Sequence, residues 1–154
     1  MTPSASLRTG FSLHPQLARD TIVVGELPLC RLLLMNDAQY PWFILVPRCS
    51  GIREIYELHE TDQAQLWRES AELSRAAMRA FAGHKLNVAA LGNVVPQLHV
   101  HHIVRYPGDP AWPGPVWGRL PPKPYEPDAL RARVDALKAA LPATFLGEAP
   151  EGLG

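Results

Sequence analysis

Three of the six histidines in this 154-residue chain fall within four consecutive positions. They are His99, His101 and His102, in the segment PQLHVHHIVR that spans residues 96–105. A neutral imidazole is a good nucleophile toward phosphorus, and it leaves easily once it is phosphorylated or nucleotidylated. A second imidazole two residues along can donate a hydrogen bond to a phosphate oxygen or transfer a proton. The cluster therefore holds residue types suited to chemistry at phosphorus.

The pattern of this segment predicts a β-strand over residues 97–104, which divides the histidines between two faces because successive side chains alternate. One face is polar and carries Gln97, His99, His101, Ile103 and Arg105. The other face is apolar apart from one histidine and carries Leu98, Val100, His102 and Val104. We expect His99 and His101 to be neighbours, roughly 7 Å apart along the backbone. His102 is expected on the core side or at its rim, outside the reacting row.

Two other interpretations of the histidine pair stay open. An H-x-H pair on a strand is often solvent-facing or hydrogen-bonded scaffolding. The same spacing suits a metal ion, which would need a third ligand from elsewhere in the chain. The candidates for that ligand are His14, His59, His84, Cys49 and the carboxylates. Their spacing in the sequence places none of them beside the pair.

Apolar runs on either side of a helical segment predict the sheet that positions the histidines. Three runs rich in β-branched and long aliphatic residues are separated by short breaks, which is typical of strands joined by hairpins. Two further strands follow the helix, with a turn around GNVVP between them. The predicted strands are Thr21–Leu27, Leu29–Met35, Trp42–Pro47, Lys85–Leu91 and Gln97–Val104.

Two main helices are predicted from apolar side chains that recur every three or four residues. The first spans Thr61–Ala82 and is expected to stop at Gly83, and the second starts near Pro127. Eight of the sixteen prolines lie in residues 107–127, which are expected to run extended over the surface. An antiparallel sheet without an alternating β-α-β order favours an α+β fold.

The chain length of 154 residues and the mass of 17.0 kDa indicate one globular domain with its own core. We expect an irregular N-terminal leader over residues 1–20 and the core of the domain over residues 21–118. A C-terminal arm and helix over residues 119–154 are expected to pack on the same domain.

The charge and cysteine content narrow the partners and the compartment. Fifteen basic residues balance fifteen acidic ones, so the chain lacks the basic surface that long nucleic acids require. A small phosphorylated ligand needs only local donors and is compatible with this balance. No signal-peptide layout and no membrane-length apolar run occurs in the sequence. Because Cys30 and Cys49 form no CxxC motif, we expect reduced thiols and a cytoplasmic protein.

The segment QLHVHHI and the strand–helix order around it resemble the histidine triad (HIT) family of nucleotide hydrolases and transferases. The family pattern is His-φ-His-φ-His-φ-φ, with φ apolar, on the last strand of an antiparallel sheet. The resemblance covers roughly residues 21–117. The longer phrase ALGNVVPQLHVHHIVRYPGDPAWPGPVWG resembles a bacterial branch of diadenosine tetraphosphate hydrolase-like proteins. The resemblance implies a HIT-like fold with about five antiparallel strands and two main helices.

Two registers of the family pattern are possible, and we adopt the one that starts at Gln97. It retains two of the three histidines, whereas a start at His99 would put Ile103 in the third place. The resemblance then implies that His99 attacks the α-phosphorus, forming a nucleotidyl-histidine that water hydrolyses. His101 is implied to hold an α-phosphate oxygen. Gln97 completes the predicted catalytic row, but it cannot carry a proton at neutral pH, which leaves protonation of the leaving group unassigned.

Four polar residues occupy places that bind the nucleotide in the family. Asn87 matches an asparagine near the phosphates, and Asn93 lies where a phosphate-binding Gln or Ser often stands. Asn36 and Asp37 follow the second strand, where an acidic residue typically holds the ribose hydroxyls. Each has a structural alternative, which is a strand-end role for Asn87 and a turn for the other three.

The sequence also suggests roles for three residues outside the predicted catalytic row. Cys49 stands in the phrase VPRCS, where relatives often have a histidine, and it is expected to be an inert small residue. Trp112 and Trp117 are expected either to cover the nucleotide or the dimer seam, or to pin an extended arm to the surface.

We expect a homodimeric hydrolase of diadenosine polyphosphates or nucleoside phosphoramidates. The small-molecule nucleotide can bring Mg²⁺ with it, but no metal bound by the histidines is expected. Long nucleic acid and membranes are not expected partners. One alternative is a non-catalytic nucleotide-binding module, which the departures at Gln97 and Cys49 favour. A second alternative is a metalloprotein built on His99 and His101.

Overall fold

A five-stranded antiparallel sheet forms the centre of the part of the chain that the structure describes. The computed structural model describes residues 10–143 and 145–147. The strands are β1 (Thr21–Glu26), β2 (Cys30–Met35), β3 (Trp42–Pro47), β4 (Lys85–Ala89) and β5 (Val100–Arg105). Their order in the sheet is β1-β2-β3-β5-β4, so β5 lies between β3 and the edge strand β4. The predicted α+β fold is confirmed.

Three α-helices accompany the sheet in these described ranges. They are α1 (Pro15–Asp20), α2 (Glu60–Ala80) and α3 (Pro127–Ala140). The prediction of a wholly irregular leader was wrong for α1. His14 caps this helix by accepting a hydrogen bond from Gln16 N, and Pro15 fixes the first helical φ angle. Residues 1–9 of the predicted leader lie outside the described residues. Among the described helices, none combines the length and apolar character that a membrane crossing requires.

The histidine strand is shorter than predicted at its N-terminal end. The predicted strand begins at Gln97, whereas β5 begins at Val100. Val100 pairs with Leu45 of β3, and residues 97–99 of the predicted strand do not pair with β3. Before that point Leu98 N donates to Ile52 O, outside the sheet. Gln97 and His99 therefore precede the ladder, and their positions are set by other contacts.

Helix α2 ends three residues before the predicted stop at Gly83. Ala82 adopts a left-handed conformation, with φ of 47°, and Gly83 N donates to Met78 O over 3.0 Å. This is the Schellman pattern of helix termination. Gly83 is required for close approach, because a Cβ atom there would lie 2.5 Å from Met78 Sδ and from Val104 Cγ1.

Both faces of the sheet are covered, which explains why WFILVP reads as a continuous apolar run. Every residue of β3 is buried. Helices α2 and α3 cover one face, which carries the larger apolar cluster. The other face packs against the N-terminal segment (residues 10–14), helix α1 and the proline-rich arm (residues 107–127), with buried side chains such as Leu17, Ala111 and Val116. The sequence predicts only that this arm runs extended over the surface. In the structure it also covers one face of the sheet.

His102 belongs to the face beneath α2, as strand alternation predicts. Its side chain is fully buried. Nδ1 lies 3.1 Å from Val100 O, which can only accept, so Nδ1 carries a proton and Nε2 accepts from Ser70 Oγ over 2.8 Å. Burial lowers the pKa of His102 to about 4, which keeps the ring neutral. His102 is therefore a structural residue that joins β5 to α2.

The lowered pKa of His102 predicts a loss of stability in mild acid. In the unfolded chain His102 binds a proton below its ordinary pKa of 6.5, whereas the folded protein resists protonation down to about pH 4. Unfolding thus takes up a proton in this window, and the free energy of unfolding falls as the pH falls. In His102→Gln, the loss between about pH 7.5 and about pH 5.5 should shrink by about 1 kcal/mol.

Urea denaturation at the two pH values measures this difference. His59→Gln, which alters an exposed histidine, is the control and should keep the wild-type loss. An identical loss in His102→Gln and the wild type would contradict the assignment of His102 as a buried neutral group.

Candidate active site

His99 and His101 lie side by side on the sheet face opposite α2 and α3. Their ring centroids are 4.9 Å apart and their planes are nearly perpendicular. Both residues are buried, with 7% and 4% of their surface exposed. The pairing that strand alternation predicts is therefore present, although only His101 belongs to β5.

Backbone contact fixes the protonation of His99. Its Nδ1 lies 2.7 Å from Gln97 O, a carbonyl that can only accept a hydrogen bond. Nδ1 must therefore carry the proton, which leaves the lone pair of the neutral ring on Nε2. Burial lowers the pKa of His99, the Gln97 bond partly opposes that effect, and a charge on His14 adds to it. The result is a neutral imidazole with a free nucleophilic nitrogen.

Trp42 fixes the opposite tautomer in His101. The indole Nε1–H of Trp42, which can only donate, lies 2.9 Å from His101 Nδ1. Nδ1 must therefore accept, which puts the ring proton on Nε2. Burial, followed by the charges of His99 and His102, lowers the pKa of His101 to about 3. His101 is thus a neutral hydrogen-bond donor at Nε2.

An aromatic cleft of about 380 Å³ adjoins His101. Trp42 and Trp117 line it, and their ring centroids lie 5.7 and 5.2 Å from that of His101. Met35 and Val116 add apolar surface. Trp117 therefore packs the arm against the sheet, as one of the two predicted alternatives states, and it also lines this cleft.

A narrow charged cleft adjoins His99 on the other side of the pair. Arg53, Glu54 and Gly92 line it together with His99 and Gln97. Gly92 has a positive φ of 77° and lies in the loop that precedes β5. The histidine pair therefore joins an aromatic cleft to one that carries a guanidinium group.

Asn36 and Asp37 line the aromatic cleft and also hold the proline-rich arm. Asn36 Oδ1 accepts from Tyr125 N over 2.9 Å. Asp37 Oδ1 accepts from Lys123 N over 3.2 Å and from Gln39 N over 3.1 Å, the latter closing an Asx-type turn. The turn alternative is thus present for Asp37, and the contact of both residues with a ligand stays a prediction.

Asn87 is part of a polar network around Arg105. Its Oδ1 accepts from Arg105 Nη1 over 2.8 Å. Arg105, which is 1% exposed, also pairs with Asp109 at 2.7 Å and donates to Gly114 O. Asn87 lines an open cleft beside Trp117 and not the narrow cleft at His99. Its structural role is therefore present, and it lies apart from the position predicted beside the phosphates.

Asn93 and Cys49 are not brought to the histidine pair. Asn93 lies in an exposed bend, and the neighbouring Gly92 lines the His99 cleft in its place. Cys49 is 2% exposed and belongs to the apolar core on the helix side.

Trp112 packs edge-on against His84, with ring centroids 5.6 Å apart, and the guanidinium of Arg105 lies over its ring. These contacts hold the proline-rich arm against the sheet, which is one of the two predicted alternatives.

Gln97 occupies a different place from the predicted one. Its side chain bonds the N-terminal segment, with Oε1 accepting from His14 N and Nε2 donating to Ser12 O, each over 2.8 Å. Both functions of the amide are thus used by the protein. Gln97 contributes its carbonyl to His99 and its amide to the N-terminal segment.

Trp42 and His14 are the site residues that sequence reasoning missed. Trp42 reaches His101 only because β3 pairs with β5 in the register that puts it opposite Ile103, which the sequence does not reveal. The sequence does indicate the capping role of His14, because a histidine directly before a proline fits a helix N-cap followed by Pro at the first helical position. Nothing in the spacing connects that cap to residue 97.

Metal binding was tested against the same geometry. Within residues 10–143 and 145–147, no three or more histidine, cysteine, aspartate or glutamate side chains are arranged to hold a metal ion. Nδ1 of each histidine of the pair is already used within the protein.

Comparisons with known proteins agree with the fold. The HIT domain family model matches residues 16–108. A histidine triad protein from Marinobacter aquaeolei is 59% identical, with a TM-score of 0.83, over 85% of this chain and 96% of that one. One from Sinorhizobium meliloti is 43% identical, with a TM-score of 0.85, over 87% and 99% of the two chains. One from Bradyrhizobium japonicum is 47% identical, with a TM-score of 0.84, over 85% and 98%.

No curated protein matches the chain. The residues that the family model matches include all five strands and the histidine segment. This chain therefore belongs to the histidine triad (HIT) family.

Proposed function

We propose that this HIT protein is a nucleotide hydrolase that works through a nucleotidyl-histidine on His99. The observation that carries the proposal is the opposite tautomers of the histidine pair. His99 offers a lone pair at Nε2, whereas His101 offers an N–H at Nε2. A nucleophile beside a donor is the combination that attack on a phosphoryl group requires.

The reaction takes place in two displacements at one phosphorus atom. Nε2 of His99 attacks the α-phosphorus, so that a P–N bond forms and the leaving group departs with the electron pair of its P–O or P–N bond. His101 donates its Nε2–H to a non-bridging oxygen and stabilises the negative charge there. Water then attacks the same phosphorus, the P–N bond to His99 breaks, and the nucleoside monophosphate is released. The proton lost by water replaces the one that the leaving group takes from solvent.

The two clefts suggest how a substrate would lie. The aromatic cleft at His101 presents two tryptophans, against which a base or ribose can pack, with Asn36 and Asp37 at its polar edge. Beside His99, Arg53 supplies a guanidinium that suits the anionic charge of a leaving polyphosphate, in a narrow cleft that also carries the carboxylate of Glu54. Diadenosine polyphosphates and nucleoside phosphoramidates both fit this division, and we propose them as substrates.

The remaining parts of the proposal concern partners and location. Mg²⁺ would arrive with a polyphosphate substrate and not on the histidines. We further propose a homodimer, since β4 leaves an unpaired edge of the sheet in the described structure. We also propose a cytoplasmic location.

Replacement of His99 tests the nucleophile. His99→Asn should lower kcat on a fluorogenic dinucleotide by about 10³-fold or more, because the covalent intermediate can no longer form. The thermal midpoint should change little, since asparagine keeps a donor for Gln97 O. Hydrolysis at the wild-type rate would contradict the assignment. Tight binding of the dinucleotide to the wild type without turnover would instead identify a non-catalytic binding module.

Replacement of Trp42 tests whether the indole holds the tautomer of His101. Trp42→Phe removes the Nε1–H that occupies Nδ1 of His101, so the ring proton is no longer held on Nε2. We expect kcat to fall about tenfold or more, because the hydrogen bond that His101 Nε2 donates to the charged phosphate oxygen in the proposed reaction is weakened.

Trp117→Phe provides the matched control in a stopped-flow or fluorogenic assay. Trp117 contacts the same ring, but its Nε1–H makes no hydrogen bond to any residue that the structure describes. This variant should keep the wild-type kcat, with any change confined to KM. Equal effects of the two variants on kcat would show that ring packing, and not the hydrogen bond, determines the contribution of Trp42.

A further inference from the structure

The N-terminal segment lies against the histidine pair through a contact at one side chain. Gln97 holds His14 N and Ser12 O with the two ends of its amide. In an extended segment, the carbonyl of one residue and the N–H of the residue two positions later point to the same side. The planar amide of Gln97 presents an acceptor and a donor side by side, so it pairs with this backbone edge as a neighbouring strand would.

The same residue connects this segment to the proposed nucleophile. The backbone carbonyl of Gln97 accepts from His99 Nδ1, while its side chain accepts from His14 N. His14 and His99 are therefore both first neighbours of residue 97. The next contact past the segment is hydrophobic, since Leu17 of α1 is buried in the cluster that contains Trp42 and Ile103. Segment and site form one packed unit.

We propose that His14 is the third imidazole of this site, that it donates a hydrogen bond from Nε2 to a phosphate oxygen of the bound nucleotide, and that Gln97 positions it. The proposal rests on the proposed function for the identity of the ligand as a nucleoside phosphate. It assigns His14 to the place that the family fills with the histidine of the triad that this chain replaces by Gln97.

The helix cap fixes which nitrogen of His14 is the donor. Nδ1 of His14 accepts from Gln16 N over 3.0 Å, and that backbone N–H can only donate. The ring proton of neutral His14 is therefore on Nε2, the nitrogen that the cap leaves unused. His14 thus has the same tautomer as His101, which suits it to hold a phosphate oxygen and not to attack phosphorus.

Electrostatics also connect His14 with His99. Burial lowers the pKa of His99, the hydrogen bond that His99 Nδ1 donates to the Gln97 carbonyl opposes this effect, and the electrostatic effect of His14 adds to it. The remaining groups that face the pair are His101 beside His99, and Arg53 and Glu54 across the narrow cleft.

Three variants separate the imidazole of His14 from the cap and from the segment. His14→Asn removes Nε2–H but keeps a side-chain oxygen that caps α1, since asparagine is among the preferred N-cap residues. Gln97→Leu removes the amide but leaves His14 in the chain. Ser12→Ala is the matched control, because Gln97 contacts only the backbone carbonyl of Ser12.

The first measurement needs no ligand. The pKa of His99 is followed by NMR titration of the histidine ring signals. It should rise in His14→Asn and in Gln97→Leu, because the electrostatic effect of His14 that lowers the pKa of His99 is removed or displaced, and it should stay unchanged in Ser12→Ala. An unchanged pKa of His99 in both variants would overturn the placement of His14 beside it.

The second measurement tests contact with phosphate. Calorimetric titration compares AMP with adenosine, which lacks the phosphate. His14→Asn should weaken AMP binding about tenfold and leave adenosine binding unchanged. Gln97→Leu should have the same effect, and the double variant should add nothing, because the two residues act as one unit. An unchanged AMP affinity in His14→Asn would overturn the proposal.

The failure of the proposed function would give a different result. If the wild type bound neither AMP nor adenosine, the nucleotide substrate would be wrong and so would the phosphate contact of His14. The ligand-free pKa of His99 would then still decide whether His14 lies beside it.

Discussion

Two buried imidazoles must each find a hydrogen-bond partner, and the partners that the fold supplies are of opposite kinds. A carbonyl faces one ring and an indole N–H faces the other. A buried polar atom without a partner costs free energy, so each partner selects one tautomer and excludes the other. Burial also lowers the pKa of both rings, which removes the doubly protonated forms near neutral pH. The chemistry proposed for His99 and His101 depends on this pair of constraints.

The layers around the sheet serve the same constraint. Helices α2 and α3 cover one face, and the N-terminal segment and the proline-rich arm cover the other. Arg105 fastens the start of the arm through Asp109 and Gly114 O, and Asn36 and Asp37 fasten its later part. Without these covering segments the histidine face would be exposed to water. Because water can both donate and accept hydrogen bonds, the selection of one tautomer for each ring would then weaken.

Much of the fold could be predicted because its determinants are local. The period of two in LHVHHIV separates His102 from the other two histidines, and the apolar period of α2 predicts its buried stripe. The missing parts depend on contacts between distant segments. Trp42 meets His101 across 59 positions of sequence, and Gln97 meets Ser12 across 85. The pattern within one segment carries no information on such pairings. The sequence therefore predicts Gln97 as part of the catalytic row and does not place His14 beside the histidine pair.

The tautomers of the two histidines in the free protein are the most direct test of this account. Long-range ¹H–¹⁵N correlation spectra of histidine-labelled protein near neutral pH distinguish a protonated from an unprotonated ring nitrogen. The account predicts a proton on Nδ1 of His99 and on Nε2 of His101, with neither ring charged. The same tautomer in both rings, or a charged His99, would contradict it.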